Sequence, residues 1–137
     1  MVGALWWDRH RGLEQITGFL DQREQGTARF RPTTVKIMTD GVLENHTGAL
    51  LEPYCDGCGG PTDNRGLFYV DPEVLNAAVT ELDRLGFQVH MHAIGDRAVR
   101  NALNAVQAAR EANGGSDNRH HIAHIQLIQP EDIPPFR

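Results

Sequence analysis

The stretch from Asp71 to Arg110, DPEVLNAAVTELDRLGFQVHMHAIGDRAVRNALNAVQAAR, admits few folds. It reads as helix, short apolar strand, tight turn and helix, with little between them. Asp71 stands as an N-cap with Pro72 at the first helical position. Leu75, Ala78, Val79 and Leu82 then share one face at a 3.6-residue period, and Gly86 ends the helix near Leu85. FQVHMHA, residues 87–93, is the strand. A third helix, capped by Asp96, runs to about Ala112 with Val99, Ala102, Val106 and Ala109 facing inward. Strands that alternate with helices form parallel βαβ units, because a helix-length crossover brings the chain back in the same direction.

The flanks extend this pattern. TTVKIMTDG is rich in β-branched residues and closes on Asp40-Gly41, which predicts a strand over 33–39 and a turn. HHIAHIQLI predicts a strand over about 120–126. Before them, Leu13, Ile16 and Leu20 predict a helix from Asp8 to about Gln25, with Gly26 as its stop. Residues 41 to about 70 form a long loop rich in Gly, Pro, Asp and Asn, and loops of that length are often functional. PEDIPPF starts a further helix or turn. The expected fold is therefore α/β, with three parallel strands adjacent in the order 33–39, 87–93, 120–126 and right-handed crossovers. Three strands do not close a sheet, so the chain reads as an interior piece of a larger protein with unpaired strand edges. Such edges invite pairing, and a homo-oligomer that covers them is expected.

Composition narrows the function classes. The 137 residues are 40% apolar and 23% charged, as suits one globular domain. A net charge of -5 argues against a general nucleic-acid partner. No apolar run approaches ~18 residues, so no membrane span is predicted. MVGALWWDRH lacks the basic start and long apolar core of a secretory signal, and a cytoplasmic location is expected. Cys55 and Cys58 have the C-x-x-C spacing of zinc or redox sites. They lack a second such pair and lie in a Gly/Pro-rich loop, so they read as two reduced loop cysteines.

In parallel α/β folds function gathers at the carboxyl ends of strands. Lys36, His92 and His124 each stand at or near such an end, one per successive strand. Taken singly, each has a plain structural reading. A strand histidine is usually a hydrogen-bonded core residue, and a strand lysine usually points to solvent. Their recurrence on three strands favours convergence on one site. His90 shares the face of His92 by the two-residue strand period, but lies farther from the turn, so it is read as a supporting or core residue. His120 and His121, with Arg119, lie at the start of their strand and are read as surface residues. His46, in the long loop, is a candidate for touching substrate.

Three segments then take on a family likeness. VKIMTDGVLENHTGALLEPY, VHMHAIGDRAV and HHIAHIQLIQPEDI resemble, in order, the central segments of the amidohydrolase superfamily, most closely amidohydrolase family 3, the branch similar to N-substituted formamide deformylase. The likeness covers Trp6 to Phe136. It implies a distorted (β/α)8 barrel, of which residues 1–137 are roughly strands four to six, holding one or two divalent metals, usually zinc. By the same resemblance Lys36 corresponds to the strand-four lysine, which can be carboxylated and bridge two metals. His92 and His124 correspond to the histidine ligands of strands five and six. Neutral imidazoles suit zinc, and a carbamate on Lys36 would replace a costly buried cation with an anionic oxygen. The expected activity is hydrolysis of a small-molecule amide or formamide-like C–N bond by a metal-activated water. The family's strand-one HxH pair and strand-eight aspartate are absent from this sequence, so the segment alone is expected to be inactive. Two other classes stay open. One is a non-catalytic α/β binding or scaffold domain with structural histidines. The other, a nucleotide-binding domain, lacks the Gly-rich strand-to-helix loop it would need.

Overall fold

A computed structural model describes residues 1–136. Its framework is four parallel strands, β1 (Val2–Trp6), β2 (Arg31–Met38), β3 (Gln88–Ala93) and β4 (His121–His124), hydrogen-bonded in chain order. Three helices, α1 (Ile16–Glu24), α2 (Pro72–Arg84) and α3 (Asp96–Asn113), lie between them. The pairings β2–β3 and β3–β4 are both parallel, as the alternation of elements predicts. This is the α/β arrangement of a partial TIM-barrel-like sheet.

Alternation within the strands divides the sheet into two faces. Val35, Ile37, Val89 and Met91 are fully buried and share one core with Phe19 of α1, Leu75, Val79 and Leu82 of α2, and Ala102, Ala105 and Ala109 of α3. The intervening residues, Lys36 and Met38 on β2 and His90 and His92 on β3, take the opposite face. Asp71 caps α2 through its carboxylate, which accepts from the backbone N–H groups of Glu73 and Val74. Gly86 follows α2 with φ +78°, a backbone state that glycine adopts without steric cost.

The structure corrects the sequence reading at several places. A fourth strand, β1, pairs with β2 through Trp6 opposite Lys36; VGALW is too short, and too close to a helix-like segment, to stand out by pattern. The helix expected over Asp8–Gln25 is shorter. Leu13–Gln15 form a 3-10 turn before α1, and Phe19, not Leu13, joins Ile16 in the core. The cause is Gln15, whose amide donates to the carbonyls of Asp8, Arg11 and Gly12 and accepts from the N–H of Asp8. Those bonds hold 8–12 as a closed turn. Gly95, not Asp96, occupies the N-cap of α3. The strand expected over 120–126 ends at His124, where φ turns positive at His124 (82°) and Ile125 (46°).

Candidate functional site

The carboxyl ends of β2, β3 and β4 meet the start of the long loop. Asp40, directly after β2, is fully buried. Its Oδ1 accepts from Ile94 N–H at 3.0 Å, and its Oδ2 from Gly95 at 2.8 Å and Ala49 at 2.9 Å. Both oxygens thus act as acceptors, as an ionised carboxylate requires. Burial pushes its pKa upward, against the pull of those three N–H groups and of His92. Gly95 must be glycine here, because a Cβ would lie 2.0 Å from the carbonyl oxygen of Ala49. Asp96 clamps the same loop. Its Oδ1 accepts from Leu51 N–H at 2.9 Å, and its Oδ2 accepts from the side-chain amide of Gln129. The residue read as a helix cap is instead a tie between the loop, α3 and the segment after β4.

His92 is buried, with Nε2 3.0 Å from the carbonyl oxygen of Gly41 and 3.5 Å from Asp40 Oδ1. A carbonyl only accepts, so Nε2 carries the proton, and Nδ1 is the nitrogen left to present a lone pair. The ring of His124 lies 4.6 Å from that of His92, edge to face. Register alone would put His124 beside Ala93, whose side chain is buried toward the helices. The left-handed backbone at His124 and Ile125 breaks that alternation. A non-glycine residue held in such a conformation costs on the order of 1 kcal/mol. Burial depresses the pKa of His124, helped by the charges of His92 and Lys36 against Asp40.

Lys36 sits one register step below, opposite His90. Burial lowers its pKa and so favours the free amine. His90 is pushed down to about 4, first by burial and then by Lys36, His121, His124 and His92. Its ring packs 4.1 Å from His121, and its Nε2 is buried without a hydrogen-bond partner among the described residues. Lys36, His92 and His124 therefore share one face and one end of the sheet. His46 does not join them: it stacks on Tyr54, 4.8 Å between centroids, out in the loop. His120, expected on the surface, is enclosed at the opposite end of the sheet. Its Nδ1 accepts from Val89 N–H and its Nε2 lies 2.9 Å from Asp83 Oδ1. Cys55 and Cys58 are free thiols in an exposed hairpin closed by a Cys55–Pro61 bridge.

This donor set fits a divalent cation from one side. His92 has its far nitrogen fixed on a carbonyl, the usual support for a ligating imidazole. His124 is adjacent and shifted toward the neutral form, and Lys36 is shifted toward its amine. Among the described residues no group of three or more His, Cys, Asp or Glu side chains closes around one point. The residue that sequence reasoning missed is Asp40, taken only as half of a turn; its signal was a carboxylate at the carboxyl end of a buried strand.

Comparison with known proteins gives a consistent set of likenesses. The sequence profile described as "Amidohydrolase family" matches residues 6–137. "Putative amidohydrolase YtcJ" of Bacillus subtilis is 35% identical over 99 residues, 72% of this chain and 17% of that protein. "Exoenzymes regulatory protein AepA" of Pectobacterium carotovorum is 28% identical over 96% of this chain and 27% of its own length. Among solved structures, an uncharacterized metal-dependent hydrolase from Pyrococcus furiosus superimposes with a TM-score of 0.68 at 27% identity, covering 91% of this chain and 25% of that one. The chain thus spans about a quarter or less of the relatives it matches, 17% of one and 27% of another.

Proposed function

Because the chain belongs to the amidohydrolase family, we propose that it supplies one wall of a divalent metal site, most simply zinc, in a hydrolase that cleaves a non-peptide carbon–nitrogen bond. The observation that carries this reading is the pairing of His92 and His124. One ring is oriented by the Gly41 carbonyl, and the other is brought to 4.6 Å by a left-handed backbone turn. Lys36, His92 and His124 are the proposed ligands, Lys36 as its carbamate. The likeness to metal-dependent hydrolases supports the cofactor, and the fold supports placing the four strands as the third to sixth of a barrel.

Bound there, a divalent metal would supply an activated water and a polarised carbonyl. The chain's own residues do the rest. Desolvation around Lys36 favours its amine, which adds carbon dioxide and loses a proton to become an anionic oxygen donor. The Gly41 carbonyl holds the proton of His92 on Nε2, so Nδ1 is the nitrogen left to ligate a metal. Asp40 fixes the position of Gly41 and of the Ile94–Gly95 turn, and so the depth of His92. A formamide-like amide is the proposed substrate, and His46 its proposed contact on the loop side. The name of the regulatory relative favours a second, non-catalytic reading, and metal content separates the two. The test is zinc per protomer and amide hydrolysis in the full-length protein. His92→Ala and His124→Ala should lower both together, while His90→Ala keeps most of the metal. Full metal and activity in His92→Ala would sink the proposal.

A further inference from the structure

A cavity of about 360 Å³ opens at the carboxyl end of β1 and β2, lined by the register neighbours of two candidate ligands. We propose that it holds the non-reacting part of the substrate, and that it selects a flat aromatic group bearing a carboxylate. This rests on the hydrolase reading above and gives it a substrate class.

Position comes first. Trp6 lines the cavity and is the register partner of Lys36; Met38 lines it and is the register partner of His92. Neighbouring strands lie ~4.8 Å apart, so a group seated on Trp6 and Met38 has its other end within one residue's reach of His92. Chemistry comes second. The walls are the indole of Trp6, the thioether of Met38 and the phenol of Tyr69, which suit a planar apolar group better than a hydrated one. Trp7 lines the same cavity, and its buried indole N–H has no acceptor among the described residues.

Charge comes third. The guanidinium of Arg9 lies 4.5 Å over the ring of Tyr69, so it stands at the aromatic wall. Its Nε donates to His10 Nε2 at 3.3 Å, and among the described residues it forms no ion pair, which leaves its terminal nitrogens for a ligand. Asp8, also in the lining, directs Oδ1 to the backbone N–H of His10 at 2.9 Å. A carboxylate on the ligand is therefore the natural partner for Arg9, whose planar fork matches it in two bonds. The cavity volume is that of a small-molecule pocket, large enough for a substituted ring.

The experiment uses the zinc-loaded full-length protein and three formamides of similar size: N-phenyl with a para-carboxylate, N-phenyl without it, and N-cyclohexyl. Wild type should favour phenyl over cyclohexyl, and carboxylate over none, by about tenfold each in kcat/KM. Trp6→Ala should erase the first preference and Arg9→Gln the second, both with unchanged zinc content. Measurable but equal rates for all three in wild type would overturn the inference. A separate arm keeps it independent of catalysis. para-Carboxybenzamide is titrated into metal-free protein and followed by tryptophan fluorescence. Saturable binding weakened about tenfold by either substitution supports the pocket even if no hydrolysis is found, in which case only the hydrolase reading fails. No binding in wild type rejects the pocket, whatever the metal content.

Discussion

At Asp40 one buried side chain closes three backbone N–H groups from two distant segments. Replacement by alanine strands those donors away from water. The expected cost is about 3 kcal/mol or more, read as a lower urea midpoint, because each orphaned donor loses its full desolvation compensation. Asp83, at the other end of the sheet, gives a pH-dependent counterpart. Burial raises its pKa, but hydrogen bonds from Ser116, Asn113, Asn118 and His120 outweigh that and bring it to about 2. The folded value lies below the ordinary 3.8, so the contribution is complete above that value and is lost as pH falls toward 2. It amounts to about 2 kcal/mol. Asp83→Asn should flatten the stability profile in that acid window, and an unchanged slope would refute the assignment. Neither aspartate was legible as structural: Asp83 sits inside an amphipathic helix pattern, and Asp40 inside a turn signature. A pattern records local spacing, whereas the partners of these carboxylates lie 9 to 55 residues away.

Helices α2 and α3 were readable almost to the residue because their apolar faces repeat over several turns and α2 has a side-chain cap. β1 and β4 were not. Five and four residues give alternation little room, and the end of β4 is set by backbone geometry at His124. The order and parallel pairing of β2, β3 and β4 were legible because helix-length crossovers leave no other economical pairing. The turn between β3 and α3 depends on close approach to the loop at Ala49. Gly95→Ala should force that loop away, costing about 2–4 kcal/mol by overpacking against backbone. The loop should then be cut faster by protease within residues 41–70 while α2 stays protected. Equal cleavage in wild type and variant would show that the contact does not restrain the loop.

Across the whole molecule, the helices cover one face of the sheet, while the face that carries Lys36, His90 and His92 has no helical layer, and β1 and β4 are the edges. Val2 and Trp6 are 59% and 61% exposed on β1. Unpaired edges of this kind recruit other strands, so the isolated chain should self-associate, and Val2→Lys should shift sedimentation toward the monomer. A monomer at high concentration in the unsubstituted chain would refute this. The candidate ligands were legible in the sequence because each stands at a strand end. The restraint that aims His92 was not, since it comes from a main-chain carbonyl and carries no residue identity. The two carboxylate clamps on the long loop have a further consequence. They fasten residues 49–51 to the β3–α3 turn, while the hairpin from Cys55 to Pro61 is held mainly by its own turn bonds. The loop is therefore an anchored base with a separable tip. The tip is where evolution or an engineer can splice in new sequence, change its length or attach a reporter without retuning the strands beneath.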